Sequence, residues 1–129
     1  MPQASKVSAV VVDDQMTIRS LVRTGLQQIG ITDVREYPSG VEAIQSLKSQ
    51  PANLVISDFN MPGMDGLELL RAIRADQRFK SMAFFLLTGR ADKELVQRAV
   101  QYGANNYVVK PFTVATLKQK IEQVFGALT

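Results

Sequence analysis

The segment Asn53-Leu54-Val55-Ile56-Ser57-Asp58-Phe59-Asn60-Met61-Pro62 decides the fold. Leu54-Val55-Ile56 is a short apolar run, β-branched at two of its three positions, and it reads as a strand buried on both faces. The run leads into Asp58, after which Pro62, Gly63 and Gly66 stop either strand or helix from continuing directly. A carboxylate at the exit of a buried strand is costly unless it has a partner or a task. One reading makes Asp58 a turn cap. The other makes it a nucleophile or metal ligand at the carboxyl edge of a parallel sheet.

The rest of the chain decides between them. Ala9-Val10-Val11-Val12 is a second run of the same kind, and it stops at Asp13-Asp14. A helix follows from about Gln15, with Ile18, Leu21, Val22, Leu26 and Ile29 at helical spacing and Gly30 as its stop. Val34 to Tyr37 is shorter and more polar, as an edge strand would be. Ser39-Gly40-Val41-Glu42 has capping-box spacing and opens a helix that should bury Val41, Ile44 and Leu47 before Pro51. Beyond the opening segment, Asp65-Gly66-Leu67-Glu68 starts a helix with Leu67, Leu70 and Ile73 inward. Ala83-Phe84-Phe85-Leu86-Leu87 is the fourth strand, ending at Thr88-Gly89. Asp92 caps the next helix, with Leu95, Val96, Ala99 and Val100 as its apolar stripe and Gly103 after it. Tyr107-Val108-Val109 is the fifth strand and ends at Lys110-Pro111; Thr113 caps a last helix with Leu117, Ile121, Val124, Phe125 and Leu128 as its stripe.

Strands alternating with helices imply a parallel sheet covered on both faces. Right-handed crossovers place every strand's carboxyl end on one edge, where ligands bind in open α/β sheets. The residues emerging there are Asp13, Asp14, Asp58, Thr88 and Lys110. Carboxylates, a hydroxyl and an ammonium converging from four strand ends favour a functional site over a set of turn caps.

Composition bounds the chemistry. The 129 residues suffice for one domain with a substantial core, and 46% apolar with 21% charged residues is ordinary for a soluble protein. With no cysteine and no histidine, thiolate sites, disulfides, histidine triads and the commonest zinc ligand are excluded. No signal segment or membrane-length apolar run appears, so a cytoplasmic protein without membrane insertion is expected. The net charge of +3 is mild; Arg71, Arg74, Arg78 and Lys80, set against Asp76, read as a solvated helix face rather than a DNA-binding one.

Val12-Asp13-Asp14, Asp58 within Asp-Phe-Asn-Met-Pro-Gly-Met-Asp-Gly, Thr88, and Tyr107-Val108-Val109-Lys110-Pro111-Phe112 stand in the order of a known family. Across residues 7 to about 125 the chain resembles the receiver domain of two-component response regulators, most closely stand-alone chemotaxis receivers of the CheY type. The resemblance implies a single receiver domain over residues 1–129, a flavodoxin-like (βα)5 doubly wound sheet, and strand order 2-1-3-4-5, for which CheY is a standard example. In that order the strands ending at Asp14 and Asp58 are neighbours, ~4.8 Å apart, so their carboxylates can share a cation. All-oxygen ligands suit a hard ion such as Mg²⁺, with Mn²⁺ able to substitute.

By resemblance, Asp14 and Asp58 bind Mg²⁺ directly, Asp13 acts largely through water, and Asn60 offers its backbone carbonyl. Asp58 accepts a phosphoryl group from a histidine kinase, so the chain is a phosphoacceptor that assists its own transfer and autodephosphorylation rather than an enzyme. Lys110, two strands away or roughly 10 Å by backbone, reaches across on its long stem. Pro111 follows a cis peptide. Thr88 and Gly89 contact the phosphoryl group, and Thr88 couples to Tyr107 as the switch. Crowding of Asp13, Asp14 and Asp58 should raise at least one pKa in the metal-free protein.

No effector domain is expected after the last helix, so output is expected through protein contact, by a monomer, with a flagellar motor switch component or similar partner. The family's output face puts Lys93, Val96, Gln97, Tyr107, Lys118 and Lys120 on the fourth helix, fifth strand and last helix. Arg90 replaces an acidic residue of the best-known chemotaxis member and bears on autodephosphorylation or on recognition of a donor or phosphatase. Other readings are a phosphate sink or relay without motor output, an aspartyl phosphatase of the haloacid-dehalogenase type, and cyclic-dinucleotide binding through the arginine cluster. The adjacent Asp13-Asp14 pair and the short chain argue against the phosphatase.

Overall fold

The three central strands are apolar runs that give way to a charged or turn residue at their carboxyl ends. The computed structural model describes residues 3–89 and 92–129, so Arg90 lies outside the described residues. The strands are β1 (Ser8–Val12), β2 (Asp33–Tyr37), β3 (Leu54–Asp58), β4 (Ala83–Thr88) and β5 (Asn106–Val109). Between and after them come α1 (Met16–Ile29), α2 (Gly40–Ser49), α3 (Gly66–Ala75), α4 (Lys93–Gln101) and α5 (Val114–Phe125). A short 3-10 turn, Ala4–Lys6, precedes β1. The strands form one sheet in the order β2-β1-β3-β4-β5, with every pairing parallel. The fold class and strand order expected from the sequence are therefore those of the molecule.

Alternation along the strands divides the core in two. Val10, Val12, Val55, Phe84 and Leu86 point to one face, where they meet Ala43 and Leu47 of α2, Leu67, Leu70 and Ile73 of α3, and Leu95 and Ala99 of α4. Ala9, Val11, Leu54, Ile56, Phe85 and Leu87 point to the other, against Val22 and Leu26 of α1 and Leu117 and Ile121 of α5. Burial on both faces explains why β1, β3 and β4 read as nearly continuous apolar runs. Among the described residues, no helix is long and apolar enough to cross a membrane.

Several expectations need correction. Leu21, Val41 and Val100 were expected inward but are 55%, 52% and 60% exposed. In α1, α2 and α4 the buried line runs through Val22 and Leu26, Ala43 and Leu47, and Leu95 and Ala99, each pair four residues apart. At about 100° per residue, Leu21 and Val100 fall one step off that line, and Val41 lies on the far side of α2 from Ala43.

The capping box at Ser39 is half formed: Ser39 Oγ accepts from Glu42 N at 3.3 Å, but the Glu42 carboxylate accepts from the Ser39 hydroxyl. The complete box is at α3, where Asp65 Oδ1 accepts from Glu68 N at 2.9 Å and Glu68 Oε1 accepts from Asp65 N at 3.2 Å. The basic cluster also divides. Arg78 pairs with Asp76, and Arg71 lies over the Tyr102 ring, but Arg74 is not a solvated side chain; it donates to the carbonyls of Lys80, Met82 and Gly103.

Candidate functional site

Strand register brings the acidic residues together. Val12 pairs with Ser57, so the next residues out, Asp13 and Asp58, leave adjacent strands at the same level. Asp13 N donates to Tyr37 O at 3.2 Å, prolonging the β1–β2 ladder by one residue. Asp58 closes β3, and α3 begins immediately behind it: Gly66 N donates to Phe59 O at 2.9 Å. On the far side, Lys110 N donates to Thr88 O at 2.7 Å, placing Lys110 just beyond the end of β5.

One carboxylate oxygen each of Asp13, Asp14 and Asp58 lies within 4.8 Å of the others. Asp13 and Asp58 are buried and Asp14 is exposed at the rim, so the cluster opens to solvent on one side. The Lys110 ammonium crosses from β5 to donate to Asp58 Oδ1 at 2.9 Å and to Asp13 Oδ2 at 3.3 Å. Three carboxylates facing one ammonium leave two negative charges unmatched.

The electrostatics follow from burial. Burial pushes the Asp13 carboxyl above its ordinary value, the neighbouring Asp58 adds to the rise, and the Gln15 N–H and Lys110 oppose it. For Lys110, burial disfavours the charge, but the hydrogen bond to Asp58 and the two nearby carboxylates outweigh burial and hold the ammonium above its ordinary pKa.

An all-oxygen donor set with unmatched negative charge, one carboxylate open to solvent and no histidine or cysteine fits a hard divalent cation. Asn60 is exposed beside the cluster and, with Phe59, Thr88, Gly89, Asp92 and Leu95, lines a cavity of about 430 Å³. The Lys110–Pro111 peptide is cis. Tyr107 is half-buried on β5, with the Lys120 ammonium 4.3 Å from its ring centre. Of the remaining surface candidates, Lys93, Gln97 and Lys118 are exposed and Val96 is half-buried.

Two contributors were missed from sequence. Gly66 was read as a breaker and as part of a helix start, without the close approach that requires it: a Cβ there would come within 2.4 Å of the Asp58 carbonyl oxygen. Arg19 drew no attention, and its Nη1 donates to Asp13 O at 2.6 Å. A residue six positions after Asp13 on the following helix is within reach of the turn, but spacing alone does not mark it.

Residues 9–122 match the sequence profile of the response regulator receiver domain. The chain belongs to the response regulator receiver family. A Rhizobium etli protein named "Probable chemotaxis protein CheY" is 46% identical over 128 residues, covering 99% of each chain. Chemotaxis protein CheY-3 of Vibrio cholerae is 40% identical over 119 residues, 92% of each. Among solved structures, Vibrio cholerae CheY4 superposes with a TM-score of 0.85 at 32% identity, over 92% of this chain and 98% of that one. The receiver domain of a Pseudomonas aeruginosa sensor histidine kinase, described with a magnesium ion coordinated in its active-site cleft, gives a TM-score of 0.83 at 25% identity, over 94% and 98% of the two chains. Receivers are the response elements of two-component signalling.

The charge imbalance in this receiver has a measurable consequence. Asp13→Asn is expected to raise metal-free stability at neutral pH by on the order of 1 kcal/mol. The amide keeps an acceptor for Gln15 N, which bonds Asp13 Oδ1 at 2.9 Å, and Lys110 keeps its shorter bond to Asp58. Because the folded-state pKa of Asp13 is raised, the folded protein holds this proton to higher pH than the unfolded chain does. The penalty therefore appears as pH rises above the ordinary 3.8 and is complete above the folded value. Urea melts across pH should show the wild type and Asp13→Asn converging toward pH 4 and separating toward pH 7.

Proposed function

We propose that this receiver is a phosphorylation-driven switch in which Asp58 accepts a phosphoryl group from a histidine kinase. One observation carries the reading: the Asp58 carboxylate sits at the sheet's carboxyl edge, held at 2.9 Å by Lys110, with a carboxylate oxygen of Asp13 and of Asp14 within 4.8 Å. Asp13, Asp14 and Asp58, with the backbone carbonyl of Asn60, would hold Mg²⁺. The ion supplies positive charge that offsets the carboxylates and the incoming phosphoryl oxygens.

An Asp58 carboxylate oxygen attacks phosphorus as the phosphorus–nitrogen bond of phosphohistidine breaks, and the departing electron pair returns to the donor imidazole. Phosphoryl transfer demands alignment and charge neutralisation more than covalent assistance. Lys110 already points its ammonium at the Asp58 oxygens and donates to a phosphoryl oxygen as charge builds. Thr88, at the end of β4, supplies a hydroxyl from the neighbouring strand, and Gly89 leaves the approach open.

Modification adds roughly −1.5 to −2 charge at Asp58. Thr88 then moves toward the phosphoryl group and Tyr107 turns inward, remodelling the face of α4, β5 and α5 that carries Lys93, Val96, Gln97, Lys118 and Lys120. The CheY names of the relatives support a chemotaxis role, with a flagellar motor component as the output partner. The reading places a monomer in the cytoplasm.

Acetyl phosphate with Mg²⁺ should give an intact-mass adduct of one phosphoryl group. Asp58→Asn and chelation by EDTA should each abolish it. A wild type that stays unmodified, or an adduct that persists in Asp58→Asn, would overturn the assignment.

A further inference from the structure

The strand-end turn that presents the carboxylates is secured at every polar atom of Asp13. Its N–H donates to Tyr37 O, its Oδ1 accepts from Gln15 N and its Oδ2 accepts from Lys110. The remaining group is its carbonyl, half of the peptide that leads into Asp14. Among the described residues, the side chain that reaches this carbonyl is Arg19, whose Nη1 donates at 2.6 Å. Asp14 itself is exposed, so its direction depends on the peptide before it.

Arg19 is in turn held by Glu36 on β2. Its Nε lies 3.6 Å from Glu36 Oε1, within ion-pair reach but too far for a hydrogen bond, while Glu36 Oε2 accepts from Arg23 Nη1 at 2.6 Å. The Arg19 side chain is only 14% exposed, so its position is set by these contacts rather than by solvent. A chain of charges thus runs from the α1–β2 surface to the Asp13–Asp14 peptide.

We propose that Arg19, oriented by Glu36, is a positioning residue of the divalent-cation site; the inference rests on the metal-binding reading above. Orientation and charge pull in opposite directions here, which makes the proposal testable by sign. A guanidinium near a cation site repels the cation, so if charge were its main effect, removing it would tighten binding. If it holds the peptide that aims Asp14, removing it weakens binding, in line with the about 10- to 100-fold losses seen when the partners of metal ligands are removed. Glu36 both aims the guanidinium and offsets its charge, so its loss should also weaken binding.

The test is calorimetric titration with Mg²⁺ alone, on the full chain, for wild type, Arg19→Met, Arg19→Lys and Glu36→Gln, with urea melts in parallel. Arg19→Met should raise the dissociation constant about tenfold. Arg19→Lys should recover part of that loss, and Glu36→Gln should shift in the same direction as Arg19→Met. Unchanged or tighter binding in Arg19→Met, with lower stability as its only defect, would overturn the proposal. Should Arg19→Met fail to fold, Arg19→Lys carries the decision, because it keeps the charge and alters only the geometry, and unchanged affinity there overturns the proposal. A wild type that binds no Mg²⁺ overturns the metal-site reading itself, an outcome read before any variant is compared.

Discussion

Gly66→Ala is expected to destabilise the protein by about 3 kcal/mol or more and to impair the Asp58 site with it. In an ordinary helix the change would help, since alanine is favoured over glycine by roughly 1 kcal/mol. Here the added Cβ would sit 2.4 Å from the Asp58 carbonyl oxygen and 3.0 Å from Phe59 Cα. Both neighbours are backbone, so neither can rotate away. The helix cannot retreat easily either, because Gly66 N is bonded to Phe59 O and the complete capping box at Asp65 and Glu68 sets its first turn. Relief must come from shifting the end of β3, which carries Asp58.

Gly63→Ala is the matched control: Gly63 has φ +77 and nothing within 4 Å of a built Cβ. It should cost only the roughly 1–2 kcal/mol of a left-handed alanine. Urea melts and Mg²⁺ titration of both variants separate the cases. Gly66→Ala should lose stability and cation affinity together, and Gly63→Ala stability alone.

Gly66 also shows where sequence reading stops. That a glycine followed Asp65 was visible; that it had to be small because a carbonyl passes behind it was not, since close approach is a property of two segments in space. Strand ends were legible because apolar runs stop abruptly at charged or turn residues, and Asp13, Asp14, Asp58, Thr88 and Lys110 could be listed from that alone. Their adjacency depends on strand order, which came from resemblance, since alternating strands and helices permit more than one order. Inward faces were legible to within one helical step in α1 and α4, where Leu21 and Val100 were misplaced beside the buried lines of Val22, Leu26, Leu95 and Ala99, but not in α2, where Val41 lies opposite Ala43. Arginines were least legible. The same guanidinium can snorkel to solvent, pair with a carboxylate or fill a nest of carbonyls, and composition does not distinguish these.

Arg74 is the clearest instance, and the second large effect is expected there. Arg74→Met should cost about 3 kcal/mol or more. Nε and Nη2 donate to Gly103 O at 3.1 and 2.8 Å, Nη1 to Met82 O at 2.7 Å and Lys80 O at 3.0 Å, and Nη2 to Asn105 Oδ1 at 2.9 Å. Asn105 Oδ1 also accepts from Phe84 N at 2.8 Å, so the guanidinium joins the end of α3 to the entrances of β4 and β5. Burial lowers its pKa, which states the same balance from the other side: the charge is held by carbonyl dipoles rather than by a carboxylate. Gly103 is matched to it, with φ +102 and a Cβ position only 2.9 Å from Arg74 Nε.

Methionine would fill the stem's volume but leave those carbonyls without their donor, and lysine, a point charge without the planar fork, should recover only a minor part. All of these partners lie at the amino-terminal edge of β4 and β5, opposite the carboxylates. Arg74→Met should therefore lower the urea midpoint while leaving the Mg²⁺ affinity of the folded protein unchanged. Gly66→Ala should move both quantities. A parallel loss of affinity in Arg74→Met would mean that the two edges of the sheet are coupled more tightly than this packing implies.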